Sequence, residues 1–376
     1  MISSQTVYLF TLVFLITSLY FLEKKSHAKI FSYVPIVVLI YLLSMAAAAF
    51  GMFEKNEAIA SAAATAKSNL LPAMLFLILL QVDFRAFVKL GRSLVIAYFL
   101  AAFSLACAFI AVPLAFGLER EMLGAFGALC GSWMGGTANM IAVGSALGVS
   151  EEAFGYALLV DSINYTWWFA LLLFLVPFAS AFARFSGAQT QNTALCEAGC
   201  SCTLGAKRYW LFVVLSLLVS FFVQFCSWHV TFVNPVTTSV VLATLLGIAG
   251  SFTKLRDWGG SNEIATSMLY LLVAIIGSQA LFERFDALGL YVVVGFCILV
   301  FHALIMIAGA KIFKLDLFSI GVASLANIGG VASAPVLAAA YHPSLAGVGV
   351  LMAVMGYIIG TFGGLGVGTI LVGIGG

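Results

Sequence analysis

Gly131-Ser132-Trp133-Met134-Gly135-Gly136-Thr137-Ala138-Asn139-Met140 sits inside a long apolar stretch. A glycine pair is a poor helix interior, because glycine loses the most backbone freedom on folding. Breaking a helix there frees N–H and C=O groups that lipid cannot satisfy. Such a break is tolerated at membrane depth only when buried in protein or lining a wet cavity. There the freed groups can hold an ion or a polar solute. The pattern returns as Leu325-Ala326-Asn327-Ile328-Gly329-Gly330-Val331-Ala332-Ser333-Ala334-Pro335, with its glycine pair 194 residues downstream. Each segment is followed by a short apolar stretch, a turn (Gly148 to Glu152; His342 to Ser344) and a long final apolar run. One such segment alone reads as close helix packing by small residues. Two in corresponding positions read as a pair of discontinuous helices in two repeats.

Outward from these segments the chain is 63% hydrophobic and 9% charged, with a formal net charge of +2 over 376 residues. Soluble domains carry about 25% charged residues. Disorder requires low hydrophobicity and high net charge. A net charge this small leaves no electrostatic footprint for nucleic acid. The apolar runs predict helical spans at 5–22, 30–53, 68–82, 93–116, 121–147, 151–181, 208–229, 234–252, 263–282, 288–310, 317–341 and 344–373. They are longer than the ~10 residues of a barrel strand. The expected fold is an all-α polytopic membrane protein with about 12 (roughly 11–13) transmembrane helices at ~20 residues each. It divides into an N-terminal repeat (1–182), a polar central loop (183–207) and a C-terminal repeat (208–376). Residues 5–22 follow no basic region and precede no small-residue cleavage site, so they read as a retained span.

Lys and Arg follow the first and third spans, precede the seventh, and follow the eighth and tenth. That pattern orients the two halves oppositely, as an inverted repeat would. Six spans per half would make them parallel. A helix hidden in 54–67 or within 121–181, or a span that does not fully cross, would reconcile the two counts.

One acid departs from the rule that charge lies in loops. Asp161 falls about ten residues into its span, near mid-membrane at about 1.5 Å per residue. An acid there costs at least ~2.5–3.5 kcal/mol and is a functional hypothesis by default. Asn164, Tyr165 and Trp168 follow at i+3, i+4 and i+7, on the same helical face. Asp161 and Asn164, with Asn139 and Thr137 at the first break, form the candidate ion-coupling set. Ser132, Gly135 and Gly136 at the first break, and Asn327, Gly329, Gly330 and Ser333 at the second, form the candidate substrate site. Ser324 flanks the second break as well. Uncharged oxygens of this kind suit Na⁺ or a polar solute; individually, each is more often an interhelical hydrogen bond. Mid-span His302 reads as a satisfied core residue rather than a relay. Glu151 and Glu152 suit the start of a helix.

There is no GxxxxGK[ST], HExxH or GxSxG, so the expectation is a non-enzyme that does not hydrolyse ATP. Cys107, Cys130, Cys226 and Cys297 lie in apolar spans as small hydrophobes. Cys196, Cys200 and Cys202 cluster in the central loop without a histidine, which is weak support for a metal. No metal site and no cofactor is expected.

Through GSWMGGTANMIAVGSALGV and SLANIGGVASAPVLAAAYHPSLAGVGVLMAVMGYIIGT the chain resembles a bacterial membrane family, domain-of-unknown-function family number 819 (YjcL-like). The resemblance covers nearly the whole chain. That family is similar in architecture to the cation:proton antiporter and anion transporter superfamily. The resemblance implies inverted repeats, two discontinuous helices crossing at the membrane centre, a core domain and a scaffold domain that often dimerises. The crossing segments would be Gly131–Met140 and Leu325–Pro335. Asp161 matches the acid that antiporters place on the helix after the first crossing. Val160 stands where they usually carry a second polar residue, and this favours an ion-coupled symporter of an organic solute at least as well as an antiporter. The resulting expectation is a secondary active transporter of a small solute, coupled to Na⁺ or H⁺. It would lie in the bacterial cytoplasmic (inner) membrane, surrounded by lipid, as a homodimer if the scaffold pairs. The alternatives are a cation/proton antiporter and a non-transporting channel-like or structural subunit.

Overall fold

The computed structural model describes residues 2–25, 36–54, 56–80, 82, 90–188, 206–229, 235–258, 260–279, 287–342 and 345–375. Cys196, Cys200 and Cys202 lie outside the described residues, as does most of the central loop. In chain order the helices are α1 (Gln5–Lys25), α2 (Ile36–Ala49), α3 (Glu57–Leu79), α4 (Arg92–Ala115), α5 (Arg120–Gly135), α6 (Thr137–Leu147) and α7 (Glu151–Leu175). Then come α8 (Ala179–Ser186), α9 (Ala206–Ser227), α10 (Pro235–Ser251), α11 (Ser261–Gln279), α12 (Leu288–Phe313), α13 (Leu317–Ile328), α14 (Gly330–Tyr341) and α15 (Ala346–Ile374). Among the described residues there is no strand, only an isolated bridge between Ile2 and Phe53, and 8 helices are long and apolar enough to cross a membrane. The chain is an all-α, multi-pass membrane protein. Its exposed residues include many large apolar ones, such as Phe221, Phe222 and Trp210 on α9. Lipid chains can cover such surface without the penalty that water imposes.

Four of the spans predicted from hydropathy differ from the helices, each for a local reason. Helix α3 starts at Glu57, not near residue 68, so 57–67 is its first part and not a separate helix. Asn56 caps it, its Oδ1 accepting from the Ile59 N–H at 2.9 Å. The following run is rich in alanine, strongly helix-forming yet not apolar enough to stand out as a span. The predicted span 151–181 divides at Val176–Phe178, a single 3₁₀ turn containing Pro177, which has no N–H to continue the α-helix. The predicted spans 121–147 and 317–341 are each two helices, described below.

The helices group into two compact units. Unit 1 is Met1–Gln81, Val149–Ser162 and Cys202–Ala287; unit 2 is Val82–Gly148, Ile163–Ser201 and Leu288–Gly376. Each takes helices from both halves of the chain.

In unit 1, small residues and buried hydroxyls bring the helices together. A Cβ on Gly277 of α11 would fall 2.5 Å from the Tyr41 carbonyl of α2. One on Gly247 of α10 would fall 3.0 Å from the Phe76 carbonyl of α3. Tyr8 and Ser278 share a hydrogen bond of 2.6 Å between α1 and α11. Ser261 donates to the Leu77 carbonyl at 3.0 Å. On α9, Ser220 donates to the Asn69 carbonyl at 2.7 Å and Gln224 to Asn69 Oδ1 at 3.1 Å. The early start of α3 also places Lys67 within an apolar helix. Its Nζ lies 2.6 Å from Glu151 Oε1 at the start of α7, so the cation is compensated.

In unit 2, α5 and α15 make the central pair. Gly127, Gly131 and Gly135 recur every four residues along α5, and Gly356, Gly360, Gly364 and Gly368 along α15. The two rows run antiparallel. A Cβ on Gly127 would lie 2.5 Å from Gly368 Cα, and one on Gly364 would lie 2.7 Å from Gly131 Cα. A Cβ on Gly360 would fall 2.8 Å from Gly135 Cα. Backbones this close gain dispersion contacts along their whole length, which is how helices associate where no hydrophobic driving force separates them from lipid. Phe109 of α4 packs edge-on to Trp133 of α5, centroids 5.2 Å apart.

Candidate functional site

Both glycine pairs interrupt a helix. Helix α5 ends at Gly135 and α6 begins at Thr137. Gly136 between them has φ +88° and ψ 171°, a region essentially reserved for glycine. The Gly136 N–H closes α5 by donating to the Ser132 carbonyl at 2.6 Å, and the Gly136 carbonyl opens α6 by accepting from the Asn139 N–H at 2.9 Å. Gly136 therefore makes the break, whereas Gly135 serves the packing of α5 on α15. A Cβ on Gly135 would collide with the Gly356 carbonyl and with the Asn139 amide. Gly136→Ala should accordingly cost about 1–3 kcal/mol of stability. A thermal-denaturation comparison in one detergent checks this; an unchanged midpoint would mean that the +88° conformation is not required.

Asn139 is buried and its amide is fully engaged. Nδ2 donates to the Gly135 carbonyl at 2.9 Å and to the Gly356 carbonyl at 3.3 Å, while Oδ1 accepts from Thr361 Oγ1 at 2.6 Å. The side chain thus ties α6 to α5 and α15. Thr361 is a partner that the sequence pattern did not single out. Ser132 is buried, and Thr137 is half-buried at the first position of α6.

The second break has a different polar balance. Helix α13 is capped at its start by Asp316, whose Oδ1 accepts from the Ser319 N–H at 2.7 Å. It ends at Ile328; Gly329 intervenes and α14 begins at Gly330, where φ is +59°. Asn327 Nδ2 donates to the Ala323 carbonyl at 2.9 Å. Its Oδ1, however, is buried with no hydrogen-bond partner among the described residues, and so is Ser333 Oγ. Gly329 is hemmed in, since a Cβ there would meet Ser333 Oγ and would lie 2.6 Å from Tyr165 Cε2. A Cβ on Gly349 of α15 would come within 2.7 Å of Pro335 N, so α14 also packs by backbone approach.

One turn before Asn327, Ser324 belongs to a buried chain of hydrogen bonds. Trp168 Nε1 donates to Ser324 Oγ at 2.9 Å. His302 Nε2 is 2.8 Å from the same hydroxyl, and His302 Nδ1 is 2.6 Å from Ser104 Oγ. Ser104 spends its own proton on the Ala101 carbonyl at 2.8 Å. The directions follow by elimination. Ser104 Oγ must accept from Nδ1–H. A completely buried ring is neutral, since a charge there would be costly, so Nε2 is bare and accepts from Ser324 Oγ, and His302 is satisfied at both nitrogens. It links α4, α12, α13 and the latter part of α7. In the same part of α7, Asn164 is buried and Nδ2 donates to the Val292 carbonyl of α12 at 3.3 Å.

Asp161 is half-buried in the portion of α7 that belongs to unit 1. The other candidate residues all belong to unit 2. Among the described residues no three or more His, Cys, Asp or Glu side chains group as metal ligands would.

Compared with protein families, residues 10–374 match the one described as "Protein of unknown function (DUF819)". No curated protein matches the chain.

Proposed function

Because the chain belongs to that family of unknown function, its activity has to be read from the molecule, and we propose that it is a secondary active transporter of a small solute, coupled to Na⁺ or H⁺. The observation that carries this reading is the second break, where a buried helix interruption leaves Asn327 Oδ1 and Ser333 Oγ without partners among the described residues. Native proteins satisfy buried polar atoms almost without exception. A structural helix end would have found donors and acceptors within the fold, whereas a transport site must leave its groups available to cargo or to its coupling ion. The matched break at Gly136 in the first half supports the same reading, since paired interruptions are the usual sequence mark of transporter binding sites. In this reading the two breaks supply the polar groups, the glycine-packed pair α5 and α15 is a rigid body that moves as one, and Asp161 is the acid that senses the coupling ion. The transporter alternates access across the bacterial cytoplasmic membrane.

The test begins with a thermal-shift panel of small organic anions, amino acids and peptides, since a ligand of the native state raises its apparent stability. Hits go to uptake in proteoliposomes under imposed Na⁺ or pH gradients. Saturable, gradient-dependent uptake is expected, with the ion dependence lost in Asp161→Asn. Flux that is linear in solute and indifferent to both gradients would make the chain a channel. Wild-type ion dependence in Asp161→Asn would remove Asp161 from the mechanism. Exchange of Na⁺ for H⁺ with no organic cargo would make it an antiporter.

A further inference from the structure

The two breaks contain similar residues but differ in what remains to be satisfied. At the first, the Asn139 amide is spent on both sides, its Nδ2 on two carbonyls and its Oδ1 on the Thr361 hydroxyl. At the second, Asn327 begins in the same way, donating Nδ2 to the carbonyl four residues before it at 2.9 Å. That bond also sets the amide orientation, since Ala323 offers only an acceptor and Oδ1 must point elsewhere. Among the described residues no hydroxyl corresponding to Thr361 meets it. Oδ1 and Ser333 Oγ are both completely or nearly completely buried, at 0% and 2% residue exposure, and neither has a partner among the described residues.

We propose that the second break is a Na⁺ site in which Asn327 Oδ1 and Ser333 Oγ are ligands. This rests on the transporter reading only for its purpose; the site itself rests on these atoms. Asn327 Oδ1 can only accept, so it requires a cation or a donor. It belongs to the penultimate residue of α13, among carbonyls at the negative end of that helix. Pro335 adds a further oxygen, because it has no N–H to offer the Val331 carbonyl four residues earlier. The donors are all neutral oxygens, and residues 325–335 contain no titratable side chain. Hard oxygens suit an alkali or alkaline-earth cation. Without a carboxylate among the donors there is nothing to offset a divalent charge in a buried site, which selects a monovalent ion. The close approach of Ser333 and Tyr165 to Gly329 favours a small, dehydrated one.

The experiment uses the full chain in lipid nanodiscs at constant ionic strength. NaCl is titrated against choline chloride, with KCl in parallel. Melting temperature and bound ²²Na⁺ are both read. Wild type is expected to show a saturable rise in melting temperature with Na⁺, one bound ²²Na⁺ displaced by unlabelled Na⁺, and a weaker response to K⁺. Ser333→Ala, a minimal change, should move half-saturation at least tenfold upward, and Ser333→Thr, which restores the hydroxyl, should recover most of it. Asn327→Ala should abolish binding; if it does not fold, the Ser333 pair still decides. Gly366→Ala, in open space on α15, should leave Na⁺ binding at the wild-type value. Equal melting temperatures in Na⁺ and choline with no bound ²²Na⁺ would mean that water satisfies these oxygens, and would overturn the proposal. Equal half-saturation in wild type and Ser333→Ala would likewise remove Ser333. Loss of the Na⁺ site with proton-driven uptake intact would leave the transporter reading standing. Na⁺ binding without any solute flux would do the reverse.

Discussion

Valine at Gly364 is expected to lower stability by about 1–3 kcal/mol or more, because it forces atoms into a contact with no room for them. The first carbon alone would lie 2.7 Å from Gly131 Cα and 2.9 Å from Gly131 N. Those are backbone atoms in the middle of a helix, and they cannot rotate away as a flexible side chain would. Helix α15 must therefore draw back from α5 along the whole glycine row. That movement also stretches the bond from Thr361 to Asn139, so the first break loses its tie to α15. Gly366 lies two residues away on the same helix, with nothing within 4 Å of its Cβ position. Gly366→Ala should be neutral or stabilising, since alanine is about 1 kcal/mol the better helix residue. Melting midpoints of the two variants side by side check the argument. Equal midpoints would show that the α5–α15 contact is loose.

The other large effect is expected at His302, whose replacement by alanine should cost about 3 kcal/mol. A buried ring is lost, and with it a partner for Ser324 and for Ser104. Ser104→Ala alone removes the acceptor of Nδ1–H and should cost about 1–3 kcal/mol as an unsatisfied buried donor. In the double variant Ser104→Ala/His302→Phe the two losses should fall well short of additive, since the donor that Ser104→Ala strands is absent. Independent of stability, ¹⁵N resonances of the imidazole should report Nδ1 protonated and Nε2 bare. The opposite tautomer would reverse the hydrogen-bond directions deduced from the Ser104 bond to Ala101 and from the burial of the ring. Through this chain His302 holds Ser324, three residues before Asn327 on α13.

Much of this architecture is legible along the chain. Of the twelve apolar runs, ten overlap described helices to within a few residues at both ends, or divide into two of them; the second is described only from Ile36 to Ala49, its start lying outside the described residues, and the third helix begins 11 residues early, in an alanine-rich stretch. The breaks at Gly136 and Gly329–Gly330 lie where the glycine pairs are. Other features were present in the sequence but carried more than one meaning. The four-residue spacing of glycines in α5 and α15 is visible without coordinates, yet the pair Gly135-Gly136 divides between two tasks, one packing and one breaking. Lys67 was hidden because residues 57–67, alanine-rich with Glu57 and Lys67 among them, are less apolar than the rest of α3, and its partner Glu151 is 84 residues away.

By itself the sequence determined that this is a multi-pass helical membrane protein with two interrupted helices, because hydropathy and the conformational needs of glycine act over a few neighbouring residues. Only the tertiary structure decided which polar groups are already spent. Asn139 and Asn327 look alike beside their glycines. The Oδ1 of one receives a hydroxyl from Thr361, 222 residues distant, and that of the other receives nothing from the described residues. A hydrogen bond is satisfied in space rather than along the chain, so the difference between a helix tie and an open ligand could be read only after the helices had packed.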